Sequence, residues 1–463
     1  MLTYRANGDT RHSLWLRVRE FAVPPSMIET AGRRRSVGDW AGACAAARVD
    51  VDLDLRSAAR AYGRERAALV KADLRRLAPD LLRWHMPRIA PDGLLRPGLT
   101  VPLARYGAPG EDDSGAAPPG DASSPPLFLV VRTAPAWADA GQRLSLALWD
   151  GARSSEGERR HPHPRPSRRY RLDLHRHLWD ATRSGELRLR SGADTVPPPD
   201  PPLADEQTAD RATDRWAAEA GILLASEGRG SGRVGVRLGA RRHLVLDLPP
   251  DGGPVSTLPA PRAAVEALPT LPDAATWVPP DLALLRAGLV EAGELHPLVA
   301  AALVPGHLPA GPAPAADSPG QPRLVDCRGV PHRIGFSDGV LAPLDHGPAE
   351  IRREELLVAL GGPPLPCLQA IDKAHRRPDA LTGVRERLDH GDIPGALAVV
   401  EGLLGPGAAL RNGALRDALE SAARRRITYG LYRADLYGPG PTRTGPPGPE
   451  RHRNRRTRPN RSR

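Results

Sequence analysis

An α+β fold is predicted by two textures along this 463-residue chain. Apolar residues at helical spacing dominate both ends, and short alternating apolar runs bounded by glycine and proline fill the middle. The expected order is a helical N-terminal region, a central antiparallel β region with a helix, and a C-terminal array of short amphipathic helices preceded by a β-hairpin. Composition shifts divide the chain at 1–92, 93–250, 251–322, 323–436 and 437–463.

In the first region Leu14 to Phe21 alternates and reads as one strand. From Pro25 the period becomes helical, over Met27 to Val37, Trp40 to Arg48, Leu55 to Ala78 and Asp80 to Trp84, with Leu69, Leu74, Leu77, Leu81 and Leu82 as the expected core. Arg64, Arg66, Arg75 and Arg76 interleave with Glu65 and Asp73, the pattern of a solvated helix face.

Leu127 to Val131, Leu144 to Trp149 and Tyr170 to Leu174 then alternate as half-buried strands. The Pro-rich inserts 107–126 and 152–168 carry too little apolar surface to offset their ordering entropy, so disorder is expected there. Asp205 to Glu227 returns to helix, and Arg233 to Leu238 with His243 to Leu248 reads as a hairpin. Residues 251–322 read as a Pro-rich linker around one short helix, Leu282 to Val304.

The densest apolar patterning lies between Leu324 and Leu436. Leu324 to Cys327 and His332 to Phe336 form the expected hairpin, closed by Ser337-Asp338-Gly339. Helices follow from Glu350, Pro366, Pro378, Pro394 and Ala408, each with a single apolar stripe and short links that favour antiparallel packing.

Within this array Gly391-Asp392-Ile393-Pro394-Gly395-Ala396 echoes Gly38-Asp39-Trp40-Ala41-Gly42-Ala43. Both resemble the turn and second-helix opening of a tetratricopeptide unit, a resemblance that implies a helical hairpin at each place. The two segments lie 353 residues apart, not in tandem, and lack the aromatics of a first helix. Gly-Asp is therefore read as a helix-turn-cap device, with no stacked array expected.

Net charge is +11, but its location matters more than its size. Residues 451–463 hold seven arginines, Arg451, Arg453, Arg455, Arg456, Arg458, Arg461 and Arg463, and no acid, leaving the remaining chain at +4. That tail, expected to be disordered, is the one candidate for weak non-specific nucleic-acid binding. Cys44, Cys327 and Cys367 are odd in number and widely spaced, the usage of reduced, buried thiols in a cytoplasmic protein. No signal peptide or membrane span is expected.

Two clusters carry residue types suited to chemistry. His161-Pro162-His163 and His175-Arg176-His177 have metal-ligand residue types, but the second pair continues the exposed register of Arg171 and Asp173 and is read as solvent-facing. His332, Ser337, Asp338, Asp345 and His346, with Cys327 nearby, lack a nucleophile elbow and supply residues that turns and caps need anyway. With Lys71 and Lys373 the only lysines, no phosphate-loop lysine exists. No catalytic, cofactor or metal residue is assigned. The expected function is a non-enzymatic cytoplasmic adaptor or accessory protein that binds protein partners through helical hairpins. The alternatives are a nucleic-acid-associated protein tethered by the tail, or an enzyme whose site is scattered in sequence.

Overall fold

Proline and aspartate start the helices of the first region. The computed structural model describes residues 11–107, 126–138, 140–151, 161–195, 210–239, 242–251, 253–307, 323–327, 330–337, 340–360, 378–404 and 414–436. Pro25 opens α1 (Pro25–Ser36), where the missing N–H costs nothing. Asp39 caps α2 (Trp40–Ala46) by accepting from the Gly42 N–H at 2.8 Å, and Asp54 caps α3 (Leu55–Tyr62) through the Ser57 N–H at 2.8 Å. Gly63, at φ 94°, then separates α3 from α4 (Arg64–Arg76), so the expected helix from Leu55 to Ala78 is two helices. α5 (Pro79–His85) completes the set.

These helices cover a four-stranded sheet in the order β1–β6–β5–β4, made of β1 (Val49–Val51), β4 (Thr100–Tyr106), β5 (Leu127–Thr133) and β6 (Leu144–Trp149). A separate two-stranded ribbon, β2 (Arg88–Ile89) and β3 (Leu94–Leu95), precedes β4. β5 and β6 pair antiparallel as expected, β4 is a further strand antiparallel to β5 that the sequence reading did not include, and β1 pairs parallel to β6, with Val49 opposite Leu144, so the sheet is mixed. A strand of three residues is too short to show a period of two. Val101, Leu103, Leu129, Val131, Leu144 and Leu146 on the sheet pack with Leu74, Leu77, Leu81, Leu82 and Trp84 from the helices in one buried core.

That core draws on the Pro-rich stretch as well. α10 (Pro280–Arg286) contributes Leu282 and Leu284, and α11 (Pro297–Leu303) contributes Val299, Ala300 and Leu303. The expected single linker helix is thus two short α-helices, each begun where a proline fixes φ, with a 3-10 turn capped by Glu291 between them. A second core forms where Trp216, Leu223 and Leu224 of α7 (Trp216–Ser226) meet Val234, Val236 and Leu246 of a three-stranded sheet. Its strands are β7 (Gly232–Arg237), β8 (His243–Leu248) and the unanticipated β9 (Ser256–Ala260).

The last region opens with three strands rather than two, β10 (Arg323–Cys327), β11 (Val330–Ser337) and β12 (Val340–Pro343), and α12 (Pro348–Ala359) follows. α13 (Pro378–Asp389) and α14 (Ile393–Leu404) form a hairpin whose Val384, Leu388, Ala396 and Val400 pack with Ala422 of α15 (Ala414–Arg433). The helix expected from Pro366 and the arginine tail lie outside the described residues. Both Gly-Asp segments do form the same hairpin turn: Gly38 and Gly391 sit at φ 78° and 79°, and Asp392 accepts from Gly395 as Asp39 does from Gly42.

The second hairpin docks on the first region. Arg48 donates to the His390 carbonyl at 2.9 Å and to Asp392 at 3.2 Å, and Phe21 stacks on His390. Gly391 lies so close to the Gly141 carbonyl that a Cβ there would stand 2.3 Å from its oxygen. From α15, Tyr429 donates to Asp50 and Arg433 donates to Asp52, both along the edge of β1.

Four local expectations are corrected. Residues 11–17 are helical and continue into a π-helical turn, Val18–Ala22, because Val18, Phe21 and Ala22 are buried at helical spacing. Tyr170 to Leu174 does not pair as a strand: Leu172–Leu174 forms a 3-10 turn that buries Leu172, and a second such turn, Arg176–Leu178, follows. Leu69 is 55 % exposed, whereas Arg66 is buried, so the register of α4 differs from the expected one. Residues 161–168, expected to be disordered, are placed against β4 and β5, where Thr100 donates to the His163 carbonyl at 2.7 Å. None of the described helices is long and apolar enough to cross a membrane.

Candidate ligand cavity

Five pieces of chain line a cavity of about 350 Å³. The N-terminal helical stretch contributes Arg11, Leu14, Trp15 and Arg19, and the end of α5 contributes His85 and Met86. The β2–β3 ribbon brings Arg88 and, just beyond it, Arg96. The 3-10 turns at 170–178 bring Tyr170, His175 and His177, and Trp277 to Pro280 close the wall. The Pro87 carbonyl accepts from the Arg96 N–H at 2.9 Å, which ties the ribbon into a rigid ledge.

The wall is mainly apolar, and most of its charges are paired with neighbours. Arg19 donates from Nε and Nη2 to Asp281 at 2.7 and 2.9 Å, while the Trp84 indole donates to the same carboxylate at 3.1 Å. Burial pushes Asp281 up, but Arg19 and His85 outweigh it and hold the carboxyl at about 2. Arg190 donates twice to Glu219, both at 2.6 Å, and His175 Nε2 lies 3.2 Å from Glu219 Oε2. Burial again opposes ionisation, yet His175 and Arg190 hold Glu219 at about 2. Arg169 donates twice to Asp273, Arg171 to Asp173, and Arg11 pairs with Asp210 at 3.2 Å.

The HxH pairs are split by this arrangement. His161 Nε2 faces the Thr133 carbonyl at 3.1 Å, at the end of the interior strand β5. His175 and His177 are each 3 % exposed, against the solvent-facing register expected of them. They alternate in sequence as a strand would, but successive 3-10 turns carry both rings inward, 5.8 Å apart. Burial first, and then His175 and the surrounding cations, push His177 well below the usual histidine range, so its ring is neutral. Among the described residues no group of three or more histidines, cysteines and acids has the placement of a metal site.

The second sequence cluster forms a brace. His332 and His346 stack with ring centres 4.2 Å apart, and Arg333 donates to Asp345 at 2.6 Å, tying β11 to the start of α12. Asp338 lies outside the described residues. A further cavity of about 460 Å³ lies beneath α15, where Arg143 pairs with Asp50 and Arg433 with Asp52. The arginines Arg451, Arg453, Arg455, Arg456, Arg458, Arg461 and Arg463 fall outside the described residues.

Sequence reasoning picked out His175 and His177 by residue type but missed Trp15, Arg88, Arg96, Glu219, Trp277 and Asp281. Those residues come from distant stretches, and only their tertiary pairing marks them. Compared with known proteins, the chain matches no protein-family model, no curated protein and no solved structure.

Proposed function

We propose that this is a binding protein for a small, largely apolar organic molecule held in the cavity between the N-terminal helix, the β2–β3 ribbon and the 170–178 turns. One observation carries this reading: a space of about 350 Å³ with mainly apolar walls, inside the size range of small-molecule sites, lies between these elements. Rigid polar anchors such as the Arg19–Asp281 and Arg190–Glu219 pairs support the wall from behind. Trp15 and Trp277 on that wall make occupancy readable as a change in tryptophan emission. Titrating small apolar compounds while following emission and melting temperature tests it. Compounds that leave both unchanged, or that act equally on a Leu172→Trp variant with the cavity filled, would refute it.

A second reading, a non-enzymatic adaptor for protein partners, is favoured by one feature. Leu356, Leu357 and Leu360 on and just after α12 are 60 %, 49 % and 86 % exposed, more apolar surface than one short helix ordinarily leaves in water. Capture of partners from lysate, with and without nuclease and with these leucines changed to serine, separates this from nucleic-acid tethering through the tail. Truncation at Gly438 should then remove salt-sensitive nucleic-acid binding and leave protein capture in place.

A further inference from the structure

We propose that the occupant of the cavity is an organic acid, whose anionic group is held by Arg88 and Arg96 with the Nδ1 of His177 as a neutral partner, while its apolar body fills the space beside Trp15 and Leu172. This rests on the cavity reading above and adds the chemical class of the ligand.

The charge inventory of the wall points this way. Seven arginines line the cavity, and five of them, Arg11, Arg19, Arg169, Arg171 and Arg190, have a carboxylate partner within the fold. Arg88 and Arg96 have no carboxylate partner among the described residues, so the wall carries two cations in excess. Arg88 is only 7 % exposed. Its Nη1 and Nη2 donate to the carbonyls of Gly93 and Arg83 at 3.4 and 2.6 Å, and its Nε has no partner. Carbonyl dipoles satisfy N–H groups but do not neutralise a buried charge. Arg96 Nε and His177 Nδ1 are likewise buried without a partner. All three groups belong to residues that line this one cavity.

Burial, and secondarily Arg19, lowers the Arg88 guanidinium to about 9, the behaviour of a cation that lacks an anion. Arg83 is equally buried without a carboxylate, with Nε and Nη1 donating to the Ala22 and Gln142 carbonyls and Nη2 without a partner, but it does not line this cavity. A guanidinium fork matches a carboxylate in two parallel hydrogen bonds, and the apolar remainder of the wall favours an organic acid over a bare inorganic anion.

The full chain titrated with naphthalene-2-carboxylate, naphthalene-2-carboxamide and inorganic phosphate tests this. The carboxylate should bind at least about ten-fold tighter than the amide, the difference expected of one charge-assisted contact. Arg96→Met should remove most of that preference while leaving amide affinity within about two-fold, and Arg96→Lys should restore part of it. Arg88→Met should do the same; since a buried residue is involved, the half-buried Arg96 variants carry the test if that one fails to fold. Equal affinity for carboxylate and amide overturns the organic-acid assignment and leaves the cavity reading standing. Phosphate binding as tightly as the carboxylate also overturns it. Binding of neither aromatic probe, or binding that survives Leu172→Trp unchanged, removes the cavity reading and this inference together.

Discussion

Arg19 and Asp281 face each other across 262 residues of sequence, joined by two parallel hydrogen bonds at 2.7 and 2.9 Å. The pair pins the N-terminal π-helical turn to α10, and both side chains are almost wholly buried. Removing one partner leaves the other as an isolated buried charge. Asp281→Asn should therefore cost about 3–5 kcal/mol, measured by urea unfolding, whereas Arg19→Met with Asp281→Leu should cost clearly less than the single change. A single variant as stable as the parent would show that the pair is not closed in solution.

Acid should weaken the fold in two overlapping windows. His390 is pushed by burial, and by Arg88 and Arg83, down to about 3, so the unfolded chain takes up its proton first and stability falls as pH drops from the usual histidine range towards 3. Asp281 and Glu219 are held at about 2, and the stability they contribute is fully present above the usual carboxylate range and lost as pH falls towards 2. The urea midpoint should thus decline steadily below about pH 6.5, and His390→Gln should flatten the upper part of that decline.

The two Gly-Asp turns share a backbone but differ in surroundings. A methyl at Gly38 meets nothing within 4 Å, so Gly38→Ala should cost only the left-handed strain, about 1–2 kcal/mol. At Gly391 the same methyl collides with the Gly141 carbonyl, and Gly391→Ala should displace the α13–α14 hairpin as well. Limited proteolysis reads the difference: faster cleavage after residue 390 in the second variant only.

Cys44 is fully buried on α2, and burial, with Asp39 nearby, pushes its thiol up to about 12. In the folded protein it should resist a thiol-specific reagent and react only on unfolding. Rapid labelling at neutral pH under native conditions would show that α2 opens readily.

Much of the architecture was legible because helix starts and turns are written in local chemistry: Pro25, Pro79 and Pro348 open helices where they stand, and Leu144 to Trp149 and the 233–248 hairpin pair as their alternation requires. What escaped were features set by partners. Five alternating residues, such as Tyr170 to Leu174, satisfy 3-10 turns as well as a strand, and the buried sides of His175 and His177 depend on Glu219, more than forty residues away. The cavity is assembled from pieces that share no sequence signal, so its arginines look no different from those on solvated faces until their carboxylates are counted.

β1 is an end strand of its sheet, three residues long, and the outer acids of that edge, Asp50 and Asp52, are held by Tyr429 and Arg433 near the end of α15. An uncovered strand edge is a template for pairing with another chain. During synthesis this edge leaves the ribosome early, while the side chains that hold its acids are made almost four hundred residues later. At elongation rates of about 5–20 residues per second, that interval lasts on the order of twenty to eighty seconds. Translation arrested before α15 would release polypeptides with the edge bare, and those fragments, more than the finished protein, are the species expected to aggregate.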